Sequence, residues 1–209
     1  MNYFSYKLDH DYGLAPNPFH GYCTVAVCKS QIRNNRNLSV GDWIIGTGSK
    51  ALSKINPIGD LNHLIYAMQV NEKITFDEYW RDERFQSKKP VINGSLVQMY
   101  GDNIYHIDPV SKKWIQEDSA HSANNNVNKD HLEQDTGGEY VLISQNFYYF
   151  GDKAPLIPGD YREVCCNSRD YQYRNTLVKI AEEFIRWLEN NYEVGIHGDP
   201  INWTKHLNQ

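Results

Sequence analysis

Side chains that could carry acid–base chemistry concentrate in three polar segments of this 209-residue chain. They are DHDYGLAPNPFHG at Asp9–Gly21, GDNIYH at Gly101–His106 and EDSAHS at Glu117–Ser122. Carboxylates and imidazoles accept and donate protons in hydrolysis, so an enzyme would draw its acids, bases or metal ligands from these segments. The residues concerned are Asp102, His106, His121 and His20. Solvated loops have the same composition, and this plainer interpretation stays open.

The segment Asp9–Gly21 contains an amide whose direction the chain constrains. Asn17 lies between Pro16 and Pro18, and the two prolines hold its backbone extended. Such an amide suits the edge of a nucleobase, which presents a donor beside an acceptor. An asparagine that satisfies backbone groups in a tight turn is the alternative. Residues on either side favour a pocket, namely His10, Tyr12, Phe19 and His20.

A glycine-rich turn follows an apolar segment in VGDWIIGTGSK. The order Gly48-Ser49-Lys50 reverses the lysine and the hydroxyl of a Walker loop, and no helix is predicted after it, which excludes that type of phosphate site. Glycines still allow a ligand to approach the backbone, and amides with hydroxyls and a lysine can hold a base edge or a phosphate oxygen. A glycine-rich hairpin turn is the alternative.

We expect the Asp9–Gly21 loop and the turn at Thr47 to form one pocket sized for a single heterocycle. The predicted substrate-binding residues are His10, Tyr12, Asn17, Phe19, His20, Gly46, Thr47, Gly48, Ser49, Lys50, Asp102, Asn103 and His106.

The composition limits the class of protein. A net charge of −5 argues against gripping long duplex DNA through its phosphates, which requires a dense cationic face. A local basic cluster around FQSKKP is either a small anion-binding patch or a solvated surface; it comprises Arg81, Arg84, Lys88 and Lys89. The sequence shows no serine elbow, no H-E-x-x-H and no deaminase signature.

No secretory signal or membrane-length apolar run is present, so we expect a cytoplasmic protein. Its four cysteines should then be thiols, for which burial is favoured and metal ligation is the alternative; they are Cys23, Cys28, Cys165 and Cys166. We accordingly expect no metal and no cofactor.

The order of predicted elements indicates an α+β fold with a small curled sheet or barrel and short helices. Thr75 and Glu78 have capping-box spacing and predict a short helix toward Arg81. A polar, loop-rich insertion is predicted at about 86–136, and an amphipathic C-terminal helix at about 173–192. The chain, 1–209, is predicted to be one domain.

Several long sequence words, in order, resemble the family called nucleotide modification associated domain 2. The words are HDYGLAPNPFHGYCTVAVCK, VGDWIIGTGSK, FDEYWRDERFQSKKP, GDNIYH, QEDSAHS, VLIS and FYYFG. The segment from Val40 onward is also loosely similar to PUA-like domains of the EVE and ASCH type. The family resemblance implies a link to phage and bacterial systems that make, read or attack modified bases. It brings no catalytic residue with it.

Three functions follow as hypotheses. The leading one is a binding module that recognises a modified nucleobase, flipped out or single-stranded in nucleic acid or carried by a nucleotide, in a DNA-modification or defence system. The alternative is a hydrolase or base-modifying enzyme acting on modified nucleotides or DNA. A subunit that contacts another protein through its aromatic surface is the third.

Overall fold

The computed structural model describes residues 1–123, 126–168, 170–173 and 178–203. The chain folds as two compact units. Unit 1 comprises Met1–Tyr12, Asn37–Asn71 and Ser144–Gln209. Unit 2 comprises Gly13–Arg36 and Glu72–Ile143.

The strands, in chain order, are β1 (Tyr3–Lys7), β2 (Cys23–Val25), β3 (Trp43–Thr47), β4 (Leu64–Gln69), β5 (Glu72–Thr75), β6 (Tyr105–Ile107), β7 (Trp114–Gln116), β8 (Tyr140–Ser144), β9 (Asn146–Tyr149), β10 (Gln172–Tyr173) and β11 (Gly195–Ile196). The α-helices are α1 (Ser30–Arg33), α2 (Phe76–Arg81), α3 (Leu96–Met99), α4 (Lys129–Thr136) and α5 (Val178–Asn191). Short 3-10 helices include Leu52–Lys54, Glu83–Lys88 and Gly159–Val164.

Unit 1 is built on a six-stranded mixed sheet with the order β10-β1-β3-β4-β9-β11. β1 runs parallel to β3, while β4 lies antiparallel to both β3 and β9. The central strand β3 is buried along its whole length, as its apolar residues require. Within the described ranges the edge strands β10 and β11 have two residues each.

Helix α5 has its apolar residues at helical spacing. Ala181, Phe184, Ile185 and Leu188 are buried, and they recur at the three- and four-residue intervals that form one face of a helix. The helix packs on the 3-10 helix Gly159–Val164, where Tyr161 meets Phe184 edge-on with ring centroids 6.4 Å apart. It lies within the predicted range of 173–192, of which residues 174–177 are outside the described part of the chain.

Unit 2 contains a three-stranded sheet, β2-β8-β5, and the two-stranded hairpin β6–β7. Helix α2 begins with the predicted capping box, because the Thr75 hydroxyl accepts from Glu78 N and the Glu78 carboxylate accepts from Thr75 N. The region predicted as an insertion, about 86–136, lies in this unit and carries α3, the hairpin and α4. Asn124 and Asn125 of that region are outside the described residues.

The predicted α+β class is confirmed, since both units combine sheets with short helices. Across the described residues the three sheets are open, so the barrel form of the prediction is wrong. The PUA-like similarity and the single-domain organisation stay predictions. No helix in the described ranges combines the length and the apolar composition that crossing a membrane demands.

The two glycines of GTGSK, in the turn after β3, lie against neighbouring atoms that leave no room for a side chain. A β-carbon on Gly48 would lie 2.0 Å from the Gly59 carbonyl oxygen, and one on Gly46 would lie 2.2 Å from the Tyr66 ring. Backbone N–H groups of the turn are bonded internally, because Gly48 N donates to His63 O and Ser49 N donates to Gly59 O. Both glycines are therefore required by the fold of unit 1 itself.

Gly48→Ala should lower the free energy of unfolding by about 3 kcal/mol, because the added methyl group must displace backbone atoms. Urea denaturation measures the effect. The matched control is Gly159→Ala in the same unit, where an added β-carbon meets no atom within 4 Å; this variant should stay within about 0.5 kcal/mol of the wild type. Equal stability of the two variants would contradict the packing explanation.

Candidate active site

The predicted binding residues of unit 1 are mostly committed to internal contacts. The Ser49 hydroxyl accepts from Ala51 N and Leu52 N, each at 3.1 Å, just before the 3-10 helix Leu52–Lys54. Thr47 is buried, and its hydroxyl has no hydrogen-bond partner among the described residues. Lys50 is exposed. The Gly48 and Ser49 amides, which were predicted to face a ligand, are bonded to the carbonyls of His63 and Gly59 in the same unit.

His10 and Tyr12 also lie in unit 1. Their rings are stacked, with centroids 5.9 Å apart and an interplanar angle of 28°. The carbonyl of Tyr12 accepts from Trp203 Nε1 at 3.0 Å. His10 is exposed and Tyr12 is half-buried, so this pair leaves ring surface toward solvent.

Asn17, in unit 2, is 1% exposed. Its Nδ2 donates to Tyr100 O at 3.0 Å, and its Oδ1 accepts from Lys88 Nζ at 2.6 Å and from Phe19 N at 3.3 Å. Both ends of the amide are therefore satisfied within the protein. The structure corresponds to the alternative interpretation of Asn17, and we leave this residue out of the proposed site.

Asp102 and Asn103 of GDNIYH are buried in the same network. Asp102 accepts from the Thr24 hydroxyl at 2.6 Å and from the Tyr79 hydroxyl at 2.7 Å. Asn103 Nδ2 donates to the carbonyls of Tyr79 and Phe85. These bonds connect β2, α2 and the 3-10 helix Glu83–Lys88, so the GDN sequence serves as an internal brace of unit 2.

The network contains two buried groups of opposite charge, the Lys88 ammonium and the Asp102 carboxylate, and each affects the pKa of the other. Burial lowers the pKa of Lys88 to about 8, although the Asp102 carboxylate acts in the opposite direction. Burial raises the pKa of Asp102, and Lys88 opposes that shift. His20 stands at the exposed edge, where burial and then the Lys88 charge lower its pKa. Each buried charge therefore depends on the other for its stability.

The two arginines of the basic cluster are paired with carboxylates on the surface of unit 2, and Lys89 lies over an aromatic ring. Arg84 binds Glu72 through two nitrogens at 2.7 and 2.9 Å and also contacts Asp82. Arg81 pairs with Asp77 at 2.7 Å. Lys89 Nζ lies 3.4 Å from the centre of the Trp80 ring. This segment is consequently not an open anion-binding patch.

His106 has a separate surface setting. Its Nε2 lies 2.8 Å from Glu117 Oε1, and its ring stacks on Trp80 with centroids 4.0 Å apart at an angle of 9°. Since Lys89 covers Trp80 as well, this indole has two neighbours already, and we leave the His106 cluster out of the proposed site.

A different set of residues has the arrangement of a nucleophilic site. Cys28 Sγ lies 3.9 Å from His121 Nε2, and His121 Nδ1 lies 2.8 Å from Asp135 Oδ2. Cys28 is half-buried, while the side chains of His121 and Asp135 are 13% and 2% exposed. The order of thiol, imidazole and carboxylate, with one ring nitrogen facing each neighbour, is that of a catalytic triad.

The local backbone presents Cys28 in a sharp turn. Cys28 ends the buried apolar run that contains β2, and two residues later α1 begins. The φ angles of Cys28 and Lys29 are 54° and 44°, a region that non-glycine residues rarely occupy. Such backbone strain is concentrated at functional sites. The turn therefore places a half-buried thiol in the connection between β2 and α1.

The Asp135 carboxylate hydrogen-bonds both the backbone of Cys28 and the ring of His121. Its Oδ1 accepts from the backbone N of Cys28 at 2.6 Å, and its Oδ2 accepts from Tyr105 Oη at 2.8 Å as well as from His121. Because the carboxylate is an acceptor, His121 Nδ1 carries a proton and Nε2 is left to face the sulfur. Gln116 donates to both Tyr105 Oη and His121 O, which fixes this second layer.

The electrostatics favour a protonated imidazole. Burial alone would lower the pKa of His121, but the hydrogen bonds to Asp135 and Cys28, together with their charges, outweigh it and raise the pKa to about 9. An imidazolium beside a thiol favours the thiolate, which is the reactive form of cysteine. At neutral pH the His121 imidazolium therefore lies beside the Cys28 sulfur.

Arg33 fixes the distance between the turn and helix α4. Its guanidinium is fully buried and donates to the carbonyls of Cys28, Asp135 and Tyr140 at 2.8, 2.5 and 2.7 Å. Burial lowers its pKa to about 10, and the nearby Asp135 and Cys28 oppose that shift. The charge remains at neutral pH, so Arg33 adds a positive potential near the sulfur while holding the backbone.

The same three side chains are also those a metal ion would use, since their donor atoms lie within 4.8 Å of one another. The Asp135 carboxylate is already bonded to three donors, and one ring nitrogen of His121 is bonded to it. That leaves one sulfur and one nitrogen, fewer than the three or four protein ligands of zinc sites. The geometry fits nucleophilic chemistry better than metal binding.

Sequence reasoning treated Cys28 as a buried thiol, named His121 as an acid, a base or a metal ligand, and missed Asp135. A cysteine at the end of an apolar strand and before a helical segment was the available signal. The three residues are separated along the chain by 93 and 14 positions, so no local spacing connects them.

Fold and site together describe a mixed α+β protein with a cysteine–histidine–aspartate centre in unit 2. Residues 1–207 match the model of the family nucleotide modification associated domain 2, and the chain belongs to that family. The resemblance seen in the sequence words is thereby confirmed. A comparison with curated proteins and one with solved structures found no match. The family description associates the chain with nucleotide modification and does not decide between binding and catalysis.

Asp102→Asn should destabilise the protein by about 3 kcal/mol, because buried Lys88 loses its opposing charge. Replacing Lys88 by Met in the same chain should recover part of that loss, since no buried charge then remains uncompensated. Urea denaturation of the two single variants and the double variant measures the coupling. Strictly additive losses would show that the two charges do not stabilise each other.

The His121–Asp135 pair should give a specific pH dependence of stability. Histidine has an ordinary pKa of about 6.5 in the unfolded chain, and that of folded His121 is about 9. The folded state therefore binds the proton more tightly, so the stabilisation is complete below pH 6.5 and is lost as the pH rises through 9. We expect the wild type to lose about 3 kcal/mol relative to His121→Gln across this window.

Urea denaturation between pH 6 and 10 measures that difference. His10→Gln supplies the control, because it removes an exposed histidine of unit 1 and leaves the His121–Asp135 pair intact. A constant difference between wild type and His121→Gln across the range would refute the ion pair.

Proposed function

We propose that this chain is an enzyme of a nucleotide-modification system that attacks its substrate with the Cys28 thiolate. The single observation that carries the proposal is the order Cys28 Sγ, His121 Nε2, His121 Nδ1 and Asp135 Oδ2, with separations of 3.9 and 2.8 Å. A thiol that serves only in packing has no need of an imidazole held in place by a buried carboxylate.

Each member of the centre has a defined task. Cys28 is the nucleophile, and His121 holds the proton that the attacking thiol has given up and returns it to the group that leaves. Asp135 selects the Nδ1–H form of His121 and stabilises its positive charge. Arg33 is a positioning residue, because it reaches the site through the carbonyls of Cys28 and Asp135.

We further propose that the substrate is a modified nucleotide or a modified base in nucleic acid, taken single-stranded or flipped out of a duplex. The family membership supports a nucleotide substrate. The net charge of −5 and the pairing of Arg81 and Arg84 with carboxylates disfavour binding along a duplex backbone. A pocket that takes one nucleotide does not need such a face.

The contacts of Asn17 bear on the binding-module hypothesis. That hypothesis used a presented amide at Asn17, whose amide is bonded within unit 2. The Cys28 centre has the residues of a nucleophilic site, which a module that only binds a modified base does not need. We therefore place the enzyme first among the functions inferred from the sequence.

A product screen tests the proposal. Plain and modified nucleotides and oligonucleotides are incubated with the wild type, and mass spectrometry identifies any new product. Cys28→Ala should lower its formation by about 1000-fold or more, and His121→Gln by about 100-fold, because nucleophile and proton carrier act as a unit.

His197→Gln is the matched histidine control and should retain the wild-type rate. The imidazole of His197 bonds only the backbone carbonyl of Glu193 among the hydrogen bonds described. Product formation that survives in Cys28→Ala, with or without a chelator, would overturn the assignment of the nucleophile.

A further inference from the structure

We infer that the bond broken at Cys28 is an acyl bond, in an amide or ester group carried by the modified nucleotide. This inference rests on the proposed thiol nucleophile and specifies its substrate class. Among the electrophiles that a thiolate attacks in proteins are a disulfide, an activated double bond and a carbonyl carbon. Each requires different neighbours around the sulfur, and the neighbours of Cys28 distinguish them.

Disulfide chemistry requires a second thiol beside the first. Cys23 of unit 2 is fully buried, and burial is the main cause that raises its pKa far above the ordinary value. All four thiols are free, and among the described contacts of Cys28 Sγ the partner is His121 and no cysteine. The centre therefore lacks the resolving thiol of a redox pair.

Conjugate addition and acyl transfer differ in where the proton is needed. In addition to an activated double bond, the negative charge appears on an atom beyond the attacked carbon, away from the sulfur. In acyl transfer the leaving nitrogen or oxygen is bonded to the same carbon that the sulfur attacks. A proton donor must then stand directly beside the sulfur, as His121 Nε2 does at 3.9 Å.

The leaving group explains why the imidazole must be so firmly held. Amine and alkoxide groups leave poorly unless they are protonated as the bond breaks, which is the task of a positioned general acid. Asp135 fixes the ring of His121 and, through Cys28 N, the turn that carries the sulfur. One carboxylate thus sets the relative position of nucleophile and acid.

The reaction balances without a further reagent except water. The Cys28 thiolate adds to the carbonyl carbon, and the carbon–oxygen π electrons move to the oxygen. The intermediate collapses as the bond to nitrogen or oxygen breaks, and His121 gives its Nε2 proton to the departing amine or alcohol. Water, deprotonated by His121, then adds to the thioester. Collapse of that intermediate releases the carboxylic acid and regenerates the thiolate.

Two acyl probes test this inference. Wild-type protein is mixed with p-nitrophenyl acetate in one experiment and with N-acetylated deoxycytidine in another. In each, the mass of the intact protein and the released acetate are measured. We expect an acetyl adduct on Cys28 that hydroxylamine removes, as a thioester requires, and catalytic release of acetate from the nucleoside. Cys28→Ser should lose the hydroxylamine-labile adduct, and His121→Gln should form it about 100-fold more slowly.

A parallel alkylation by iodoacetamide separates the two proposals. Rapid, His121-dependent alkylation of Cys28 without acylation by either probe would overturn the acyl assignment while leaving the nucleophile in place. Alkylation of Cys28 no faster than that of an unfolded cysteine peptide would overturn the nucleophile as well. Cys28→Ser preserves the size of the side chain, and its urea denaturation curve shows whether a loss of reaction reflects chemistry or unfolding.

Discussion

The carboxylate of Asp135 is the constraint on which the proposed site depends. It accepts hydrogen bonds from the Cys28 backbone, from Tyr105 and from His121, and so connects the turn after β2 with helix α4. A buried charge of this kind is stable only when several donors surround it. Asp135 accepts hydrogen bonds, whereas Arg33 donates them, to the carbonyls of Cys28 and Asp135 in the same two segments. The strained φ angles at Cys28 and Lys29 are tolerated because both ends of the turn are held.

Unit 2 contains a second buried carboxylate, Asp102, and its surroundings give it a different role. Its oxygens accept from Thr24 and Tyr79, and its charge is opposed by fully buried Lys88. Those groups are buried, so the network braces the interior of the unit. The carboxylate of Asp135 instead reaches the half-buried sulfur of Cys28 through one imidazole. Both aspartates are buried, and they differ in their partners: Asp102 contacts the buried hydroxyls of Thr24 and Tyr79, whereas Asp135 contacts half-buried Cys28 and His121.

The two aspartates also illustrate how far sequence patterns extend. The capping box at Thr75 and the amphipathic face of α5 were predicted correctly, because they depend on residues three or four positions apart. The acidic and basic residues of GDNIYH predicted a functional segment, yet Asp102 and Asn103 form hydrogen bonds within unit 2. The type of a side chain states which reactions are open to it, but its exposure and partners decide which of them it performs.

By itself the sequence determined the α+β class, the family, the lack of a Walker loop and the local caps, since each follows from neighbouring residues or from long words read in order. Tertiary structure alone decided that the Asn17 amide is hydrogen-bonded within the protein. It also decided that the backbone of Gly59 lies too close to Gly48 for a side chain there, and that Cys28 contacts His121 and Asp135. The physical reason is distance along the chain. The backbone of Cys28 and the carboxylate of Asp135 are 107 residues apart, and only the folding of β2, the turn and α4 brings them within a hydrogen bond of each other.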